Sequence, residues 1–170
     1  MTFQIRPIPG DHDRAFQSEL VAAIAASSGF QYTPYGADVE IAIQFDRLKT
    51  EHCDYRYQTE DGSEAIIDRL SPVGAKHEAV VTCTVLRRSS GQLLLSGQPF
   101  RQEFSFDFVD DRSYQDLAFT EFSGQSTTTL QYSLGQLGAE DDAAKSALRP
   151  LFKKIAEKVA SYLLINRKKL

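Results

Sequence analysis

Three histidines and two cysteines are the side chains best suited to nucleophilic or metal chemistry, and their spacing favours neither. His12 lies in Gly10-Asp11-His12-Asp13, residue types that open a helix, so capping and solvent account for it. His52 and Cys53 are neighbours, and on a strand neighbours project to opposite faces, which parts the thiol from its nearest base. Cys83 stands among Val and Thr and reads as a buried thiol; a disulfide with Cys53 in an oxidising compartment is the other reading. No Cys-x-x-Cys, His-x-x-x-His, Gly-x-Ser-x-Gly or glycine-rich phosphate loop occurs. Asp110-Asp111 and Glu140-Asp141-Asp142 lack calcium-loop spacing, the first reading as a turn and the second as a helix cap. The expectation is therefore no catalytic residue, no metal and no cofactor. A hydrolase built on a carboxylate pair stays open as a minor reading, because such pairs meet only in space.

Charge gives a sharper signal. The net charge is −4, yet residues 149–170 hold seven basic residues and one acidic, which leaves −10 for the other 148. Arg149, Lys153, Lys154 and Lys158 are the candidate anion-binding residues. Against that stands the ordinary use of Lys and Arg on the solvent face and last turn of a helix. An acidic total without a recognised motif argues against nucleic acid.

These residues must be placed by a modest set of elements. At 170 residues, 42% apolar and 25% charged, the chain is long enough to bury a core and reads as a single domain, 1–170. No apolar run of about 18 residues spans a membrane. Residues 1–7 have no apolar signal core, and Met1 is either native or the start left by a removed signal. Phe3 to Pro9 reads as an extended opening segment. A helix follows to about Ser27, with Asp11 or Asp13 as N-cap, a stripe of Phe16, Leu20, Ala23 and Ile24, and Gly29 as its stop. Tyr32 to Gly36 is turn-rich. Val39, Ile41, Ile43 and Phe45 alternate with polar neighbours as a half-buried strand. Cys53 to Gln58 is a second strand or its continuation. Glu60 to Ser63 is a turn, Ala65 to Leu70 is ambiguous, and Ser71-Pro72-Val73-Gly74 is irregular. His77 to Leu86, the turn Ser89-Ser90-Gly91 and Gln92 to Phe108 form a central hairpin, with a bulge near Gly97 and Pro99. Phe104, Phe106 and Phe108 share one of its faces. Residues 110–129 read as a surface excursion, and 127–134 as an edge strand. A last helix opens at Glu140 and buries Leu148, Leu151, Phe152, Ile155, Val159, Tyr162 and Leu163, with a kink or restart at Pro150. Strands without crossover helices predict an α+β fold: a mostly antiparallel sheet of about four strands, with an N-terminal and a C-terminal amphipathic helix on one face.

This order of parts resembles the LPS-assembly lipoprotein family, LptE. Ile8-Pro9-Gly10 and the helix to Ser27 are similar to its Pro-marked loop and first helix. Ala37-Asp38-Val39-Glu40-Ile41 is similar to its Ala-Asp lead into a strand. Val80 to Val85, Ser90-Gly91-Gln92-Leu93 and the strand to Phe108 match its long hairpin, and Ala143 to Leu163 its closing helix. The lipid-bearing cysteine is not in this sequence, and Gly10-Asp11-His12-Asp13 stands where the family has a polar Asn/Thr signature, so no residue role is transferred. The resemblance implies a non-enzymatic scaffold on the periplasmic face of the outer membrane. Its expected partner is an LptD-like β-barrel, with LPS phosphates as a ligand for the basic helix and membrane contact only through an anchor outside this sequence. A cytoplasmic adaptor or chaperone with reduced cysteines is the alternative.

Overall fold

The computed structural model describes residues 1–27, 29–59, 66–108, 118–120, 126–128 and 140–170. The expected turn at 60–63 and most of the expected edge strand at 127–134 lie outside them.

The elements run β1 (Thr2–Ile5), α1 (Ala15–Ala26), β2 (Gln31–Tyr32), β3 (Val39–Thr59), β4 (Ile66–Arg87), β5 (Leu93–Asp107), β6 (Ala118–Thr120), β7 (Ser126–Thr128) and α2 (Glu140–Ile165), then a short 3-10 turn, Arg167–Lys169. The main sheet has the order β2-β1-β3-β4-β5, and β6 and β7 pair antiparallel by themselves. The fold is α+β with a mostly antiparallel sheet, as expected from strands that follow one another along most of the chain without crossover helices. It departs from expectation in having five main strands. The opening segment is a true strand, parallel to both β2 and β3 with Phe3 opposite Tyr32 and Val39, so α1 is a crossover helix. Only Phe3 and Ile5 carry its apolar signal, too few for a period. Pro72 and Gly74 also fail to interrupt β4.

The chain forms two compact units, and β3, β4, β5 and α2 contribute residues to both. The first comprises Met1–Lys49, Glu78–Phe104 and Leu148–Leu170. Its core takes one side of the alternating strands, Val39, Ile41 and Ile43 from β3 and Ala79, Val81, Cys83 and Val85 from β4. Phe16, Leu20 and Ile24 of α1 and Leu151, Ile155, Val159 and Leu163 of α2 close onto it, all fully buried. Burying each such large side chain stabilises by about 1.5–3 kcal/mol before chain entropy is charged against it. Phe16 sits between Phe45 and Phe152, with ring centroids 5.2 and 5.1 Å away. α2 continues through Pro150 without a restart, because one lost backbone bond is outweighed by the buried Leu151 and Phe152 that follow it.

The Arg87 N–H donates to the Gln92 carbonyl at 2.8 Å and Gly97 faces Thr82, which share one register of β4 and β5. Phe108 N donates to the Val73 carbonyl at 3.0 Å, two residues out of that register, so the pairing shifts between Gly97 and Phe108. A Cβ at Gly97 would lie 2.8 Å from Thr82 Cγ2.

α1 starts at Ala15, two to four residues after the expected caps. The Asp11 carboxylate nevertheless accepts from Phe16 N at 3.1 Å and Gln17 N at 2.8 Å, and Asp13 accepts from Ala15 N at 3.2 Å. Replacing Asp11→Ala should therefore cost about 1 kcal/mol in urea unfolding, roughly a cap's worth. A neutral Asp11→Ala would show that water serves these amides equally well. At the other end the helix stops at Ser27, and Gly29, at φ +95°, turns the chain where a Cβ would enter the Arg167 guanidinium.

The second unit comprises Thr50–His77 and Ser105–Ala147. His77 is 3% exposed and organises it. Its Nε2 donates to the Ala144 carbonyl at 2.7 Å, which leaves Nδ1 facing the Thr50 hydroxyl at 2.9 Å, while the ring lies 4.7 Å from Phe106. Gly74 is required in β4 because Asp54 and Asp107 crowd it from both sides, with Asp54 Oδ2 2.8 Å from where a Cβ would stand.

Candidate functional site

The structure divides the four basic residues singled out in the sequence between two flanks of α2. Arg149 faces α1, where its Nε pairs with Glu19 Oε1 at 3.1 Å. Lys153 lies on the same flank, beside Glu19, Glu157 and the small residues Ala22, Ala23 and Ala26. Lys154 and Lys158 face β5. The Lys154 ammonium sits 5.1 Å from the Phe104 ring centroid, and Lys158 Nζ donates to the Arg101 carbonyl at 2.9 Å. The four therefore do not form one anion site: two are tied to a helix–helix groove that also holds carboxylates, and two border a different surface.

That second surface is an open groove of about 560 Å³ between α2 and β5. Phe100 and Gln102 form its strand side; Lys154, Lys158, Tyr162 and Ile165 form its helix side, with Glu157 its single acid. Phe100 and Tyr162 meet edge to face at 5.5 Å. The sequence reading missed Phe100, although it shares parity with Phe104, Phe106 and Phe108, and it missed the spacing that carries Lys154 and Lys158 on to Tyr162 and Ile165.

A second charged constellation went unread. Glu78, 3% exposed, draws three cations: Lys49 Nζ at 3.1 Å from Oε2, Arg101 Nε at 3.0 Å and Arg47 Nη1 at 3.7 Å from Oε1. The Lys49 hydrogen bond, followed by the charges of Arg101, Lys49 and Arg47, holds the Glu78 carboxyl below its ordinary range despite burial. Arg101 also pairs with Glu103 at 2.7 Å. The arrangement is a charge lock between neighbouring strands, with no nucleophile in it.

The residue types suited to catalysis are dispersed. His52 Nε2 meets Glu140 Oε1 at 2.7 Å, whereas the adjacent Cys53 thiol donates to Asp54 at 3.3 Å. Local desolvation first, then the Asp54 carboxylate, pushes the thiol of the exposed Cys53 up, and burial pushes Cys83 to about 12. Both cysteines are free, so the disulfide reading is not realised. Among the described residues no group of His, Cys, Asp and Glu could hold a metal ion. In the folded protein a thiol reagent should label Cys53 slowly and leave Cys83 untouched, with two thiols appearing in denaturant. Two equally fast native thiols would contradict the buried position of Cys83.

No family model and no curated protein sequence matches the chain. Solved structures do share its fold. A protein of Caulobacter crescentus assigned as a lipoprotein superimposes with a TM-score of 0.54 at 10% identity, over 96% of this chain and 88% of its own. A minor lipoprotein from Acinetobacter baumannii does so with a TM-score of 0.51 at 10% identity, over 98% and 94%.

Proposed function

We propose that this protein is a non-enzymatic envelope lipoprotein body, acting as a scaffold beside an outer-membrane β-barrel in LPS export in the manner of LptE. The observation that carries this reading is a fold shared over nearly the whole chain with two bacterial lipoproteins. The element order read from the sequence supports it independently. No described helix is long and apolar enough to cross a membrane. On this reading a lipid anchor lies upstream of the chain, and the folded body faces the periplasm.

Affinity purification of the full-length gene product from native membranes tests the reading. The expected result is a stoichiometric β-barrel partner and an acylated N-terminus on the bait. Recovery from the cytoplasm, unacylated and with only soluble partners, would overturn it in favour of an adaptor.

A further inference from the structure

One stripe of α2 gathers two unlike kinds of side chain. Lys154, Lys158, Tyr162 and Ile165 follow at helical spacing along the groove beside β5. Ile165 is 82% exposed and its neighbour Leu164 43%. Beyond the helix end, Lys168 and Lys169 are both exposed. Exposed aliphatic residues bracketed by lysines suit a charged bilayer surface: the aliphatic groups enter the headgroup boundary and the ammonium groups meet lipid phosphates. The stripe lies in a segment of net charge +6 within a sequence otherwise carrying −10, so a negative surface attracts this end of the chain and repels the remainder.

An extended peptide is the other occupant such a place invites, since β5 is an edge strand among the described residues. The edge itself opposes it. Even-numbered residues bond β4 on both sides of the segment, Gln92 to Arg87 and Phe108 to Val73, and the Arg101 carbonyl is held by Lys158 instead, so odd-numbered residues here turn their backbone groups away from β4. Pro99 is one of these and has no N–H. Arg101 is another, and its carbonyl is already taken by Lys158. An incoming strand would lose two ladder bonds in succession and displace a lysine, whereas a lipid surface needs neither backbone group.

We propose that the stripe from Lys154 to Ile165, with Leu164, Lys168 and Lys169, docks the protein on an anionic phospholipid surface. Ile165 and Leu164 enter the interface, and the lysines contact phosphates around them. This goes beyond the scaffold reading and requires neither a barrel partner nor an anchor. The test is co-sedimentation of the purified, untethered 170-residue chain with vesicles of phosphatidylcholine alone and of phosphatidylcholine with one third phosphatidylglycerol, at low and high salt. Binding is expected on the anionic vesicles and is expected to weaken as salt rises. The combined change Lys154→Gln, Lys158→Gln, Lys168→Gln and Lys169→Gln should lower partitioning at least about tenfold. The pair Leu164→Ser and Ile165→Ser should lower it severalfold even at low salt. All six positions are at the surface, and circular dichroism checks that each variant folds. Equal binding to both vesicle types, no binding to either, or variants that bind like wild type would each overturn the proposal. None of these outcomes bears on acylation or on a barrel partner, so the two readings fail separately.

Discussion

Phe16→Ala should lower the stability of the folded chain by about 3–5 kcal/mol, the largest loss expected of any single truncation in its core. Phe16 is fully buried, and its ring is flanked by Phe45 of β3 and Phe152 of α2. Those two rings are themselves 6.0 Å apart, so removing Phe16 leaves both without a neighbour on one side. The cavity can close only by moving a strand and a helix, each pinned by its own buried residues. With a urea dependence of roughly 2 kcal/mol/M, the unfolding midpoint should fall by about 2 M. Phe16→Leu should recover most of the loss, since it restores volume without the ring contacts. A loss below about 1 kcal/mol for Phe16→Ala would mean that the three elements collapse freely and that the aromatic trio is not a fixed wedge.

Glu78→Gln should destabilise strongly, and the effect should depend on pH. The substitution keeps shape and removes charge, leaving Arg47, Lys49 and Arg101 facing one another around a neutral amide. Arg101 keeps Glu103, yet the neutral amide no longer offsets the three cations drawn to this buried position, and removing one side of such a charge cluster is costly. Tm at neutral pH should fall on the order of several degrees. The wild-type carboxyl titrates below its ordinary 4.5 in the folded chain, chiefly through the Lys49 hydrogen bond. Its contribution is therefore complete above that value and drains away as pH falls through the lower, folded one. The gap in Tm between wild type and variant should be widest near neutrality and should narrow below about 4.5. A constant gap across that range would show that the carboxylate charge is not what holds the three cations.

What the sequence revealed and concealed follows from the range of each interaction. Val39 to Phe45 and His77 to Leu86 announce strands because a sheet with one buried face imposes a period of two on its own residues. Leu151 to Leu163 announces a helix in the same way. β1 does not, since four residues hold too little of a period, and its pairing with Val39 and Ile41 depends on residues more than thirty positions away. Ser71 to Gly74 reads as a break because Pro and Gly are judged by their own propensity. In the sheet Gly74 is kept by the carboxylates of two other strands. The candidate site shows the same division. Lys154 and Lys158 were visible as charges, but what separates them from Arg149 and Lys153 is the identity of the neighbour across the helix, β5 on one side and α1 on the other. Glu78 was hidden altogether, because its three partners come from β3 and β5 and share no spacing with it.

The position of α2 in chain order bears on how the protein is made. Leu151, Ile155, Val159 and Leu163 are among the side chains that cover the apolar face of β3 and β4, and they follow every strand. The hairpin of β4 and β5 closes through a short turn and can form early, whereas β1 and α2 reach their places only through distant contacts. While α2 is still within the ribosome, the nascent sheet stands with a hydrophobic side uncovered and an edge unguarded by Lys158. During synthesis this intermediate exposes apolar surface, and a truncation ahead of Leu148 should yield aggregates rather than a smaller folded protein.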